Sequence, residues 1–582
     1  MKKNSLFRLF QYIGKYKAYI GISLICALIS NVLMAFIPFI VGKGIDKIVG
    51  KGAVDFHNLL KVIIVLAIVY LISSLFTWIF TVIANIIAFR TVKDIRNDAF
   101  NKITNLPLKY FDTNPHGDIM SRLTNDIEAI SDGLFQGITQ FYPGIITIIS
   151  SIVLMFVLSV KITLVILLMT PLCFVIASFI ATRSNKMFKE QQKTVGELNG
   201  YIEEIIGNQK VVKVFGYEQR SEEKFREINR RLYKCGQQAQ FYSSLTNPST
   251  RFVNNITYIL VGVVGGLLSV LGGLSVGTIS SFLTYSTQFS QPINNITSVA
   301  TQLQAALASS ERVFSVIDEK PEPKDLEKTK EITNCEGNIT FDNVCFSYVK
   351  EVPLINNFNA KIQKGSTIAI VGPTGAGKTT MVNLLMRFYD ITKGSILIDG
   401  TDIYEIKREN LRLLFGMVLQ DTWLFEGTIR ENIAYGKQDA TESEIENAAK
   451  AAHIHSFIKK LPKGYDTVIT EAGANLSEGQ KQLLTIARVM LIDPPMLILD
   501  EATSSVDTRT EIKIQNAFLS MMKGRTSFVI AHRLSTIREA DLILVMKDGE
   551  IIERGSHEEL INKEGFYTKL YKSQFKNASD VI

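Results

Sequence analysis

The sequence predicts a two-part fold: an all-α domain that crosses a membrane six times, fused to a cytoplasmic α/β domain. Three observations lead there. Residues 1–310 hold long apolar runs without charge, whereas residues 338–582 have the mixed polarity of a soluble domain. In the second half a glycine-rich loop stands between a strand-like run and an amphipathic, helix-like run. Further on, a second strand-like run ends in two carboxylates, Asp500 and Glu501. At 582 residues the chain is too long for one domain in any case.

The membrane half is read from its start. NSLFRLFQYIGKYKAY is aromatic and basic together, which suits a helix lying in the membrane interface or the first turn of the first span. Charge-free apolar stretches follow at 18–42, 62–89, 133–160 and 162–182. Each reaches the roughly 20 residues that a bilayer-spanning helix needs. Residues 252–310 carry no charge over 59 residues, enough for two spans, with GGLSVG at 272–277 as the turn between them. The first run is too long for a cleaved signal peptide and lacks a clear small-residue cleavage site.

The connections are uneven. Spans three and four meet at Lys161, while spans two and three are separated by 43 residues and spans four and five by 69. Both long connections are rich in basic residues, including Arg90, Lys93, Arg96, Arg122, Arg183, Lys186, Lys210 and Lys213. The positive-inside tendency places them, both termini and the α/β domain in the cytoplasm of a multi-pass cell-membrane protein. Loops this long and helical are expected to carry the spans well beyond the bilayer. Spans five and six are uncharged but polar, with Asn254, Asn255, Gln288, Gln291, Asn294, Asn295, Gln302 and Gln304 among Phe282, Tyr285 and Phe289. Amides at that depth face other helices or a water-filled cavity.

Composition narrows the function classes. The net charge of +7 and mean hydropathy of +0.17 fit a membrane protein with basic loops. No Lys/Arg tract with interleaved aromatics appears, so nucleic acid is not an expected partner. The five cysteines, Cys26, Cys173, Cys235, Cys335 and Cys345, form neither a CxxC pair nor a disulfide framework.

Residues 311–337, with KPEPKD inside a charged stretch, read as a linker to the domain at 338–582. NITFDNVCFSY then alternates like a strand, and STIAIVGPTGAGKTTMVNLLMRFY gives strand, glycine loop and helix. GPTGAGKT, Gly372 to Thr379, is a P-loop with its required context. Its glycines let backbone N–H groups close around phosphates at a helix N-terminus. Lys378 supplies a charge for the β- and γ-phosphates, and the Thr379 hydroxyl can ligate Mg2+. MLILDE, 496–501, reads as a buried parallel strand that delivers carboxylates at its C-terminal end, where α/β folds bind ligands. Asp500 suits Mg2+ through water, and Glu501 can polarise an attacking water as general base.

The order of these motifs resembles the nucleotide-binding domain of ABC transporters: P-loop, Gln420 in VLQDTWLFEGTIRENI, NLSEGQ, LILDEATSSVD and IAHRLST. Six spans ahead of it resemble the exporter type, and the resemblance covers essentially the whole chain. Residues 105–126 and 200–218 resemble the exporter segments that contain the two coupling helices. The resemblance implies ATP and Mg2+ as ligands, and roles that carry over by position. Tyr348 would stack on adenine. Gly372, Thr374, Gly375, Ala376, Gly377, Lys378, Thr379 and Thr380 would hold phosphates, with Thr379, Gln420 and Asp500 at the metal. Gln420 would also sense the membrane half, Glu501 would activate water, His532 would contact the γ-phosphate, and Asp507 would communicate across a dimer interface. In this family two such domains pair head-to-tail, so Ser477, Gly479 and Gln480 would complete the other subunit's ATP site. One chain with six spans and one ATPase domain is then half of a dimeric machine, and six helices alone would leave the polar faces of a path toward lipid.

Two departures matter. SSVD stands where SALD is commoner, a mild change because Asp507 remains. LSEGQ has Glu478 where the family has glycine, bringing a like charge near a phosphate and losing glycine's freedom; alternatively its carboxylate points away to solvent. The family contains heterodimeric exporters in which one subunit keeps the catalytic Glu with an altered signature, so a heterodimer is expected over a homodimer. The expected activity is ATP-driven export of an amphipathic or lipophilic compound, drug-like or lipid, by alternating access. No protease-like segment precedes the first span, so a peptide-maturation exporter is not expected. The competing readings are a soluble or importer ATPase subunit, which six fused spans oppose, an ATP-gated channel, an importer of metal chelates using the exporter fold, and a homodimeric lipid flippase. Flux measured against an opposing gradient separates the channel from an exporter, and the direction of ATP-driven uptake into inverted vesicles separates the importer.

Overall fold

The computed structural model describes residues 2–575 apart from 49–53, 272, 327–328, 350–351, 420–421, 471–472, 474, 501–505 and 531–533. These fall into two units, one of residues up to 105 plus 115–319, the other of 106–114 plus 320–582.

The first unit is helical. α1 (Lys2–Gly14) is a helix of its own, separated from α2 (Lys17–Ile45) by a turn, so the aromatic start is not merely the first turn of a span. α3 (Phe56–Ile103) runs 48 residues, about 72 Å at 1.5 Å per residue, more than twice a bilayer core of ~30 Å. α4 (Leu108–Thr113) belongs to the second unit; α5 (His116–Leu123) and α6 (Asn125–Gln136) return to the first. A π-helical turn, Gly137–Phe141, joins α6 to α7 (Tyr142–Leu158). The break before α8 (Val160–Gly207) falls at Ser159, whose backbone is extended, not at Lys161 as the charge pattern suggested. Lys161 is instead the second residue of the 48-residue α8. α9 (Gln209–Val214), α10 (Glu218–Ser244), α11 (Thr246–Val270) and α12 (Val276–Ile317) complete the unit.

Among the described residues four helical segments are long and apolar enough to cross a membrane: Lys17–Ile45, Phe56–Ile103, His116–Leu158 and Glu218–Val270. Val160–Leu172 is a shorter apolar helix at the fourth expected span, and the sixth lies in α12, whose amides lower its hydropathy. α12 also continues to Ile317, seven residues into the segment read as a linker. Val313, Phe314 and Val316 are 1–2% exposed, and burying them outweighs the local charge.

Polar contacts join the helices where hydrocarbon gives no driving force for association. The N-terminus of α12 crosses α2 at paired glycines: a Cβ on Gly277 would lie 1.9 Å from the Gly42 carbonyl oxygen. Asp46 caps that end, accepting from Gly277 N–H and Ser275 Oγ, both at 2.7 Å. Tyr285 Oη donates to the Ala35 carbonyl at 2.7 Å, and Phe282 and Tyr285 are fully buried, so these aromatics build the unit's core.

The second unit is α/β. Its strands are β1 (Ile339–Phe346), β2 (Ile355–Ile362), β3 (Thr367–Val371), β4 (Lys393–Ile398), β5 (Thr401–Asp402), β6 (Phe415–Val418), β7 (Gly427–Thr428), β8 (Val468–Ile469), β9 (Met496–Asp500), β10 (Thr526–Ile530), β11 (Leu542–Lys547) and β12 (Glu550–Gly555). The main sheet has the order β12-β11-β3-β10-β9-β6 and is parallel from β11 through β6. An antiparallel sheet, β2-β1-β4-β5, and the pair β7-β8 accompany it. α13 (Lys378–Leu385) follows β3. The central strands are nearly continuous apolar runs because both faces of a parallel sheet are covered. Glu322 and Asp325, just past α12, are held by arginines: Arg412 reaches Glu322 at 2.6 Å, and Arg387 and Arg408 reach Asp325 at 3.2 Å.

Candidate functional site

The P-loop joins β3 to α13 at the C-terminal end of the parallel sheet, the position where such folds gather ligands. Gly375 and Gly377 have φ of +84° and +98°, a region costly for any residue with a Cβ. A Cβ on Gly372 would meet the Met546 carbonyl at 2.2 Å, so the loop lies against β11. Ala376 is buried beneath it, while Thr374 and Thr379 face out. Lys378 Nζ donates to the carbonyls of Gly372 and Pro373 at 2.7 and 3.0 Å, folding back over the loop. Burial holds its pKa below the usual lysine value, and the nearby Asp500 partly counters this. No described residue hydrogen-bonds the exposed Thr379 hydroxyl. The result is a cationic cradle of backbone N–H groups at a helix start, suited to a phosphate chain.

Tyr348 borders this cradle. It is 40% exposed, and its hydroxyl donates to buried Thr380 Oγ1 at 3.3 Å and accepts from Asn383 at 3.4 Å. Phe346 and Tyr389 meet its ring edge-on, with centroids 4.8 and 4.9 Å away. Its orientation is thus set from two sides while part of the ring remains open for a planar ligand.

β9 ends as its sequence suggested. Met496 to Leu499 are buried, and Asp500 emerges half-buried beside Lys378. Glu501, His532 and Gln420 lie outside the described residues.

The NLSEGQ segment starts the helix Glu478–Ile492. Ser477 is its N-cap in a reciprocal capping box: Gln480 N–H donates to Ser477 Oγ at 3.4 Å, and Ser477 N–H to Gln480 Oε1 at 2.9 Å. Gly479 is buried, and a Cβ there would come within 2.5 Å of Thr510 and 2.8 Å of Val506. The signature turn therefore packs directly on the segment around Asp507. Asp507 caps the helix Thr508–Met522, accepting from Thr510 N–H at 2.9 Å, and this bond lowers its pKa. Glu478 occupies the first turn, where a carboxylate complements the helix dipole. Lys481 Nζ reaches its Oε1 at 2.8 Å. The carboxylate is thereby drawn one turn along the helix and balanced by a lysine whose side chain is only 15% exposed.

Sequence reasoning missed three partners. Lys481 was one, although its i+3 spacing from Glu478 was visible. Arg488, on the same helix, donates from Nε to the Asn432 carbonyl at 2.9 Å and lies 5.0 Å above the Tyr435 ring. It ties this helix to the segment that follows Gln420. Tyr389 was the third; its hydroxyl donates to the carboxylate of Asp112 in α4, a pairing 277 residues apart in sequence.

Comparison with known proteins adds the following. Residues 20–293 match the ABC transporter transmembrane region, and residues 355–504 match the ABC transporter family. A fatty acid ABC transporter ATP-binding/permease protein of Mycobacterium bovis is 44% identical over 531 residues, 91% of this chain and 84% of that protein. An ATP-dependent lipid A-core flippase of Syntrophus aciditrophicus is 36% identical over 556 residues, 96% of this chain and 92% of that one. The structure of a bacterial Atm1-family ABC exporter with ATP bound superposes with a TM-score of 0.76 at 29% identity, covering 96% of this chain and 98% of that chain.

Proposed function

The chain belongs to the ABC transporter family, as an exporter-type ATPase that couples ATP to transport across a membrane, and from that premise we propose that it is one half of a heterodimeric exporter for a lipid, fatty acid or drug-like lipophile. The observation that carries this reading is the fusion, in one chain, of a helical transmembrane region with a P-loop whose lysine sits beside Asp500.

ATP binds at the P-loop, with its phosphates against the N–H groups of Gly375 to Thr380 and Lys378, and adenine on the open part of Tyr348. Mg2+ fits the donor set, because the exposed Thr379 hydroxyl and the Asp500 carboxylate are hard oxygen ligands, with Gln420 as a third. The metal supplies charge neutralisation at the β- and γ-phosphates. Glu501 polarises the attacking water, and His532 contacts the γ-phosphate. Closure of two such domains, each signature Ser477 and helix N-terminus meeting the other's ATP, turns the spans outward; hydrolysis resets them. The ATPase domain and both termini face the cytoplasm.

Glu478 supports unlike partners. In a homodimer it would stand in both ATP sites; in a heterodimer this chain's P-loop, Glu501 and His532 meet an unaltered signature. A homodimeric flippase is the second reading, favoured by one contact: Lys481 neutralises Glu478 and relieves the repulsion on which the first depends. Purifying the tagged chain from its native membrane and weighing the intact assembly decides between them. A second, different half-transporter is expected in equal amount; a dimer of this chain alone with full ATPase activity would overturn the heterodimer.

A further inference from the structure

The arginines that hold Glu322 and Asp325 gather at the far end of the P-loop helix. α13 has the phosphate cradle at its start and ends at Leu385, about 12 Å away at 1.5 Å per residue. Arg387 follows two residues later with φ of +51°, a left-handed conformation uncommon outside glycine. Its side chain is 4% exposed. Nη1 donates to Asp325 Oδ1 at 3.2 Å and to the carbonyls of Ile403 and Ile406, both at 3.4 Å, and the guanidinium lies 4.6 Å above the Tyr404 ring.

Arg408 is buried beside it. Its backbone N–H donates to Asp325 Oδ2 at 2.9 Å, and its Nη1 donates to Asp325 Oδ1 at 3.2 Å and to the Pro323 carbonyl. Arg412 completes the cluster, donating from Nη2 to Glu322 Oε1 at 2.6 Å and to the Arg387 carbonyl at 3.3 Å. Buried like charges persist only where carboxylates balance them. Those carboxylates are Glu322, Asp325 and Asp390, the last at 3.7 Å from Arg387 and 3.5 Å from Arg408. Two of the three belong to the segment that follows α12. Without them the guanidiniums would face Asp390 alone, so residues 322–325 are fastened to the end of α13 and are not a slack tether.

The chain is fastened on the α12 side as well. Asp318, the C-cap of α12, accepts from Arg8 Nη1 of α1 on both carboxylate oxygens, at 2.6 and 2.5 Å, and the same guanidinium lies 4.6 Å above the Phe314 ring. Only residues 319–321 separate the anchored Asp318 from the anchored Glu322, and one of them is Pro321, whose ring fixes φ. A connection this short reaches at most about 14 Å, so a displacement of one anchor is passed to the other.

We propose that residues 322–325, gripped by Arg387 and Arg408, form a strap that transmits the nucleotide state of the P-loop helix to α12 by a route separate from the Tyr389–Asp112 contact. Arg387 is a positioning residue in this route: it lies at the end of α13 opposite the phosphate cradle and acts through Asp325. The inference rests on the reading of Gly372–Thr380 as the ATP site and adds to it a link to the spans.

The test uses the full chain in its native assembly, in nanodiscs, and follows amide hydrogen exchange with and without Mg2+ and a non-hydrolysable ATP analogue. In the parental protein the analogue is expected to slow exchange at 372–380 and to change it at 306–318, the end of α12. Two glycines inserted between Lys320 and Pro321 add about 7 Å of slack and leave every ion pair of the strap in place. This variant should keep its melting temperature, the response at 372–380 and a KM for ATP within about twofold, and lose the response at 306–318. Asp325→Ala should lose that response together with some melting temperature, because it leaves buried guanidiniums unbalanced; Asp325→Asn, which retains an acceptor, should recover part of both. Should the insertion fail to fold, the exchange of Asp325→Asn against the parental protein still decides: an unaltered response at 306–318 counts against the strap. A response at 306–318 that survives the insertion, or a parental protein whose α12 does not respond while 372–380 does, overturns the proposal. Absence of any response at 372–380 refutes instead the ATP-site reading on which it rests.

Discussion

Tyr389 donates a hydrogen bond to the carboxylate of Asp112, and the same tyrosine ring meets Tyr348 edge-on at 4.9 Å. Asp112 lies in α4, within the 105–126 segment that resembles a coupling-helix region, and Tyr348 borders the P-loop. Two contacts thus connect the ring proposed to carry adenine with α4, in the segment that resembles a coupling-helix region. Burial and Asp112 together raise the Tyr389 pKa, so its proton stays in place across the physiological range. Tyr389→Phe removes one hydrogen bond to a charged acceptor, worth about 1.5–3 kcal/mol. ATP affinity should stay within about twofold while transport per ATP hydrolysed falls by tenfold or more, read in proteoliposomes. Unchanged coupling in this variant would remove Tyr389 from the path.

Glu501→Gln should lower hydrolysis by about 10²–10⁴, the usual contribution of general-base assistance, with ATP binding retained through Lys378. Steady-state ATPase and nucleotide binding on the native assembly measure both. Parental turnover would rule out Glu501 as the base.

Lys481→Ala should leave Glu478 unbalanced at the signature and weaken ATP binding at the site this signature completes. Glu478→Gly in the same chain should then restore it. The pairwise effect on stability is small for an i,i+3 helix pair whose carboxylate is solvated, about 0.2–0.5 kcal/mol, so a loss of ATP affinity without a matching loss of melting temperature is the expected pattern. Equal affinities in all three proteins would mean that Glu478 is only a favourable first-turn residue.

Asp126 is buried in α6 and accepts from Arg312 Nε at 2.8 Å and Ser309 Oγ at 3.0 Å. Asp126→Ala leaves those donors without their acceptor and should cost about 1–3 kcal/mol, seen as a lower melting temperature. Half of the Arg312 side chain remains solvated, which keeps the cost below that of a fully buried pair.

Gln288→Asp and Asn295→Asp should depress transport of a lipophile more than basal ATPase if these amides line the path. Among the described residues Gln288 Oε1 is buried without a hydrogen-bond partner, and buried polar atoms are ordinarily satisfied. Parallel loss of both activities, or of neither, would place these residues off the path.

What the sequence made legible depended on the range of each signal. The spans stood out because burying charge in lipid is prohibitive, and the P-loop because its glycine conformations and flanking elements are local. The break at Ser159 escaped notice because a charged residue two positions later looked like the natural loop. The extension of α12 to Ile317 depended on burying Val313 and Phe314, a tertiary effect set against a charged local sequence. The links Tyr389–Asp112 and Arg488–Asn432 join distant residues, and no periodicity encodes them. Glu478 was visible as a departure, but its consequence turned on a side-chain direction that Lys481 sets.

The central claim is ATP-driven export, and its most direct test is uptake of a fluorescent fatty acid into inside-out vesicles carrying the chain with its co-purifying partner. The account predicts accumulation in the lumen against a gradient with ATP, and none with Glu501→Gln. ATP-dependent depletion of preloaded vesicles, or downhill flux alone, would contradict it.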